Sequence, residues 1–401
     1  MRFYASTMRS NRRESDPVMA KNEKTDAYTI LKRVLAVLLV FTAIAAIGFF
    51  YTRNTVDSQL AEIEAQRQQQ NENLIEQHNQ WLAEQASQPT DVQDERWPAP
   101  NPNGWDVVDI SDFAVNAAGT ESFTHEEMET AGLMLVNRWH YLPSDFTDER
   151  FANGDELVSI GSQSSSDGFP IQVANYNVMV QRSTYSALAE MLRAASADGL
   201  ENYLIDEGFR TNESQTESFL KEQAKWEDRY TGEVLIEKAR ENVSVPGTSE
   251  YQTGLSFRIR RYKRGDADFN GAAFASTEHL AWLEAHAWEY GFVFRFPVSG
   301  YPLASTTDKS WKTGMSLKMM MYRYVGKPAA AVMHTLDYCL EEFIEYMQAH
   351  PHIAVYQDGS LKYEIYRIQD NGSDATVDVP RGAQATASID NMGGVIVCLE
   401  Y

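Results

Sequence analysis

Residues 246–259, PGTSEYQTGLSFRI, set Tyr251 and Arg258 seven positions apart, on a turn that runs into an apolar strand-like piece. A His at the first of these places and a carboxylate at the second would hold two corners of a zinc site. Zinc takes three protein ligands in such a site and keeps one position for water. The metal lowers the pKa of that water until hydroxide can attack an amide, and a carboxylate must then shuttle the proton. Tyr251 and Arg258 do not suit this chemistry, because a phenol is a rare zinc ligand and a guanidinium is not one. The eight histidines (His78, His125, His140, His279, His286, His334, His350 and His352) include no His-x-x-x-His pair that would relocate the site. His279 and His286 lie seven apart on one helical pattern, and His350-Pro-His352 marks a junction; each reads more simply as a packed or solvated side chain. Cys339 and Cys398 are too few for a disulfide framework. They read either as a pair or as two small buried hydrophobes.

Four further segments keep order with this one: LVNRWHYLPSDF (135–146), EGFRTNESQ (207–215), WLEAHAWEYGFVFRFP (282–297) and KTGMSLKMMMYRYVGKPAA (312–330). Together the five closely resemble the zinc D-alanyl-D-alanine carboxypeptidases of the VanY type, which trim peptidoglycan stem peptides, over residues 130–335. The resemblance implies a compact α+β domain around a small antiparallel sheet. It also implies zinc held by the His and Asp of an S-x-H-x-x-G-x-x-x-D segment and the His of an E-P-W-H segment, whose Glu is the general base. In this chain Ser249, Gln252 and Gly254 remain, while the ligand places hold Tyr251 and Arg258. The run Tyr322-Arg323-Tyr324-Val325-Gly326 fixes the register of the last segment. Lys318, Met319, Met320 and Met321 therefore replace Glu, Pro, Trp and His. All three ligand places (Tyr251, Arg258, Met321) and the base place (Lys318) are substituted, which predicts no zinc cofactor and no catalytic residue.

Substrate contacts fare better. Arg210 and Gln215 match the family's S-G-Y-R-S-x-x-x-Q segment, in which the Arg is implied to hold a peptide carbonyl or carboxylate. A guanidinium suits a carboxylate through its planar fork. Arg210, Gln215, Ser249, Gln252 and Arg258 are thus the candidate substrate-binding residues, with an ion pair as the alternative for Arg210 and turn or cap hydrogen bonds for Gln215 and Ser249. Arg258 and Lys318, joined by Arg210, would also crowd positive charge into a closed pocket. That charge calls for an anion such as the carboxylate of a D-alanine-terminated peptide, unless the long side chains reach into water.

These residues must be positioned by helices patterned over 124–138, 182–198, 213–225, 276–290 and 328–348, and by strand-like pieces YLIDEGF, LSFRIRRY and GFVFRF. After His350 come short alternating runs split by turn residues, which predict a small β appendage over 351–401, behind a carboxypeptidase-like domain over 105–350. Ahead of the domain, residues 1–33 hold eight Lys/Arg and four Asp/Glu, and residues 34–51 carry no charge. That run is about long enough to cross a bilayer core. The basic flank puts the N-terminus in the cytoplasm, and a cleaved signal peptide is the rival reading. Residues 52–104 read as a polar helical stalk, a weak coiled coil open to self-association, ending in a Pro-rich linker.

With 35 Lys and Arg against 57 Asp and Glu, the net charge of −22 argues against a nucleic-acid partner. The expectation is a single-pass cell-membrane protein with its C-terminal domain outside. It would be a pseudoenzyme that binds peptidoglycan stem peptides or scaffolds wall enzymes. The alternatives are an active carboxypeptidase with a rebuilt site and a purely structural wall module.

Overall fold

In a computed structural model that describes Lys32 and residues 97–151, 156–271 and 273–401, the chain is α+β with small, mainly antiparallel sheets. Residues Glu64–Tyr401 make one unit, and of the other, Met1–Ile63, only Lys32 is described. The expected tail, membrane run and stalk therefore fall almost wholly outside the described residues. Among the described residues no helix is long and apolar enough to cross a membrane.

Two five-stranded sheets organise the rest. The first runs Gln172–Val173, Tyr203–Glu207, Ser256–Arg261, Met321–Tyr324, Phe292–Phe294, antiparallel except for its first pair. The helix Arg182–Ala197 covers it because its apolar residues recur at helical spacing: Tyr185, Leu188, Met191, Leu192 and Ala195 are all buried. Their side chains share a core with Ile205, Phe257, Ile259 and Phe292 of the sheet and with Leu280 and Leu283 of the helix Glu278–His286. That continuous apolar contact is the main force holding this half together.

The second sheet runs Trp105–Asp109, His352–Gln357, Ser360–Gln369, Gly394–Glu400, Gln384–Ile389. The strands expected after His350 are all present, yet they do not form an appendage of residues 351–401. Trp105–Asp109 supplies the edge strand, and Ala117–Phe123 pairs with Ala375–Pro380. Ile353, Val355, Ile365, Ile396 and Cys398 share one core with Val325, Ala329, Val332, Phe343 and Met347. Strand alternation marked the strands, but pairing partners some 250 residues earlier leave no local signal.

Two expected helices are shorter than their patterns. The stretch 328–348 divides into Lys327–Leu336 and Leu340–Ala349, because Asp337 turns left-handed at φ 54° and Glu342 caps the second helix at Cys339. A short polar side chain is among the few that tolerate this conformation. The stretch 124–138 is helical only over His125–Thr130. Beyond it a Cβ on Gly132 would lie 2.8 Å from the Val325 backbone, and the carbonyls of Gly132, Met134 and Val136 accept from buried arginines. Tertiary hydrogen bonds thus take the place of the helical ladder. Cys339 and Cys398 are both free and buried.

Candidate functional site

The site residues converge where the first sheet's strands Tyr203–Glu207, Ser256–Arg261 and Met321–Tyr324 meet the turn Glu250–Thr253. Two glycines make the approach feasible. Gly254 closes the turn at φ 69°, and a Cβ on Gly208 would sit 2.3 Å from the Met179 carbonyl oxygen. Any side chain there would push Arg210 out of place.

At two of the places where the resemblance puts ligands, Tyr251 and Met321, the surroundings are largely apolar. Tyr251, Phe296 and Met321 are buried together, with Met315 and Met319 packed against them. Burial raises the Tyr251 phenol well above its ordinary pKa, so it stays protonated. Its hydroxyl donates to the Met319 Sδ at 3.6 Å. Arg210 lies over the Tyr251 ring, 4.4 Å from its centroid. A protonated phenol, a guanidinium and thioethers do not fit a zinc ion. No step can be routed through such a metal at this position.

The expected excess of positive charge is largely cancelled by two acids that the sequence reading did not weigh. Arg258 donates through Nε to Asp206 at 2.7 Å and pairs with Glu207 at 3.6 Å. Arg210 donates through Nε to Glu207 at 3.0 Å, and Arg260 reaches the other Asp206 oxygen at 3.1 Å. Three guanidiniums thus face two carboxylates, leaving one positive charge. Lys318 is not part of this group: it is exposed, with its ammonium 5.7 Å from the Tyr301 ring centroid. The signal was present in YLIDEGFR, two acids at the end of a strand just ahead of Arg210.

Gln215 and Gln252 are built into the scaffold. Gln215 accepts from Arg210 Nη1 at 3.2 Å and donates to the Ser244 carbonyl at 2.6 Å, so it fixes the guanidinium. Gln252 accepts from the Gly247 N–H at 2.7 Å and donates to Asn212 at 3.3 Å. Ser249 is buried, with its carbonyl accepting from the Gln252 N–H at 3.0 Å. Beside them opens a cleft of about 350 Å³ lined by Leu142, Ser144, Asp148, Asn212, Gly247 and Gln252, among others. Its size and its hydrogen-bonding rim suit a short peptide.

Behind the site lies a buried charge network. Glu250, next to Tyr251, accepts from Arg295 Nε at 2.6 Å, from Arg323 Nη1, and from Ser256 Oγ at 2.9 Å. Arg295 also forks onto Glu341 at 2.7 and 3.0 Å. Burial alone would raise the Glu250 carboxyl, but Arg323 and Arg295 hold it below the ordinary carboxylate range. Because Arg295 precedes Phe296 and Arg323 follows Met321 by two residues, this network anchors the same segments that carry the apolar cluster. Nothing in residue spacing announced it.

A family model described as VanY, D-alanyl-D-alanine carboxypeptidase, matches residues 177–316. That span holds Arg210, Gln215, Ser249, Tyr251, Gln252 and Arg258 but stops short of Lys318 and Met321. The D-alanyl-D-alanine carboxypeptidase of Enterococcus faecium is 26% identical over 288 residues, covering 69% of this chain and 78% of that protein. The putative carboxypeptidase YodJ of Bacillus subtilis strain 168 is 32% identical over 213 residues, 53% of this chain and 67% of that one. Among solved structures, the vancomycin-resistance D,D-dipeptidase VanXYg, in complex with a D-Ala-D-Ala phosphinate analog, shares the fold with a TM-score of 0.52 at 23% identity, over 71% of this chain and 99% of that one.

Proposed function

Because the chain belongs to the VanY-type D-alanyl-D-alanine carboxypeptidase family, we propose that it is a non-catalytic member that binds the D-alanine end of peptidoglycan stem peptides without cutting it. It does so from the outer face of a membrane. The observation that carries this reading is the buried cluster of Tyr251, Phe296 and Met321, with Met315 and Met319, at the places where the resemblance puts metal ligands. With a protonated phenol and thioethers there, the site offers no metal-polarised water, and its carboxylates Asp206 and Glu207 are engaged by arginines.

Binding is a different matter from cutting. Arg210 is held by Glu207 and Gln215, and the arginine cluster retains one uncompensated positive charge for a peptide carboxylate. The adjacent cleft offers Asn212, Ser144 and Asp148 as hydrogen-bonding partners. The relative solved with a D-Ala-D-Ala phosphinate analog makes that ligand class the natural probe. Anchorage rests on the uncharged run 34–51 and its basic flank.

Two measurements on the purified chain test the proposal together. A pentapeptide ending in D-Ala-D-Ala should bind in calorimetry, more weakly at high salt and in Arg210→Ala, since the contact is partly electrostatic. Release of D-alanine should stay at background with or without added zinc. Zinc-dependent release ends the non-catalytic reading, and absence of peptide binding at millimolar concentration ends the peptide-reader reading.

A further inference from the structure

On the short helix His125–Thr130, His125 and Glu129 lie four residues apart and so share a face. His125 Nε2 is 3.5 Å from Glu129 Oε1. Asp145, on the segment that follows Leu142, brings its carboxylate to the same point: the three residues offer one ligand atom each, all within 4.8 Å of one another. This point lies outside the matched residues 177–316 and uses none of the family's ligand places.

Glu129 is fully buried, and neither of its carboxylate oxygens makes a hydrogen bond; the buried His125 Nδ1 also lacks one. Arg150 Nη1 is in ion-pair contact with Glu129 Oε2, so Oε1, with His125 Nε2 at 3.5 Å, is the oxygen left without a close partner. A buried carboxylate oxygen left this way is costly unless something else satisfies it. The local charge points to what that is. Asp145 and Asp370 add carboxyl groups beside Glu129, and among the described residues the guanidinium of Arg150 opposes them, so acidic groups are in excess here. A divalent cation matches that excess, and one imidazole with two carboxylates is a donor set suited to zinc or a similar first-row ion.

We propose that His125, Glu129 and Asp145 form a divalent-cation site of the zinc type, which fastens the segment carrying Asp145 to the helix His125–Thr130. The site is structural in consequence. Ser144, Phe146, Thr147, Asp148 and Glu149 flank Asp145 and line the cleft beside Gln252. A cation bound at Asp145 therefore holds one wall of that cleft. The proposal is independent of whether the cleft binds a stem peptide.

The test is calorimetric titration of the full chain with zinc after chelator treatment, with magnesium and calcium as comparators. One zinc per chain is expected, binding more tightly than either comparator. Affinity should fall at least about tenfold in His125→Ala and in Asp145→Asn. Asp145 is exposed, so its variant should fold even if a change at the buried Glu129 does not. Zinc binding should survive in a His350→Ala/His352→Ala variant. No zinc uptake, or uptake indifferent to both His125→Ala and Asp145→Asn, overturns the proposal.

Discussion

Replacing Glu250 with Gln should be among the most damaging single changes to this fold. Glu250 is 3% exposed, and its two arginine partners are 1% (Arg295) and 0% (Arg323) exposed. In the native network two carboxylates, Glu250 and Glu341, offset two guanidiniums, Arg295 and Arg323. Gln leaves two guanidiniums with one carboxylate, and its amide N–H atoms face donors rather than acceptors. Removing one partner of a buried ion pair costs about 3–5 kcal/mol, because the remaining charge is neither solvated nor paired. Urea unfolding followed by tryptophan fluorescence should show this as a lowered midpoint with an unchanged slope. A double-mutant cycle with Arg323→Gln should give a coupling of about 0.5–3 kcal/mol, since the second change removes the surplus charge. The coupling stays incomplete because Arg323 also serves the Gly132 and Met134 carbonyls at 3.0 and 3.1 Å. Arg323 and Arg295 hold the Glu250 pKa down in the folded chain. Its contribution is therefore present above the ordinary carboxylate pKa and is lost as pH falls through the depressed one. The gap between wild type and Glu250→Gln should accordingly narrow in acid. A loss below about 1 kcal/mol at neutral pH would refute the claim that this network anchors the segments carrying the apolar cluster.

Two other outcomes follow from groups that are partly or fully buried. Burial pushes the His140 imidazole down to about 4, against an upward pull from Glu341 and Asp390 and a further downward push from Arg295. The unfolded chain then takes up a proton below about pH 6.5 that the folded chain refuses until about 4, so stability falls as pH drops through that window, by up to about 3 kcal/mol. Thermal midpoints at pH 7 and pH 4.5 should differ less in His140→Gln; an equal difference removes His140 as the cause. Burial also raises both thiols, Cys398 to about 12, so neither should react with iodoacetamide in the native chain and both should react in urea. Labelling of either cysteine before unfolding contradicts the buried placement.

What the amino-acid order settled by itself was whatever depends on spacing along the chain. The helix Arg182–Ala197 and the five strands after His350 were legible, because periodicity is a local property. Which residues stand at the places where the resemblance puts metal ligands is likewise a matter of residue identity alone. Other features rest on contacts between distant segments. Trp105–Asp109 joining the second sheet, the irregular backbone after Thr130, and the Glu250–Arg295–Arg323–Glu341 network bring together residues up to about 250 positions apart. The charge at the site shows the difference most directly. Read in order, Arg210, Arg258 and Lys318 were three cations that called for an anion unless the long side chains reached into water. The pairing of Tyr203–Glu207 with Ser256–Arg261 sets Asp206 and Glu207 against Arg258, while Arg210 meets Glu207 three residues away along the chain and Lys318 turns to solvent. Electrostatic energy depends on distance in space, and only the folded sheet fixes that distance.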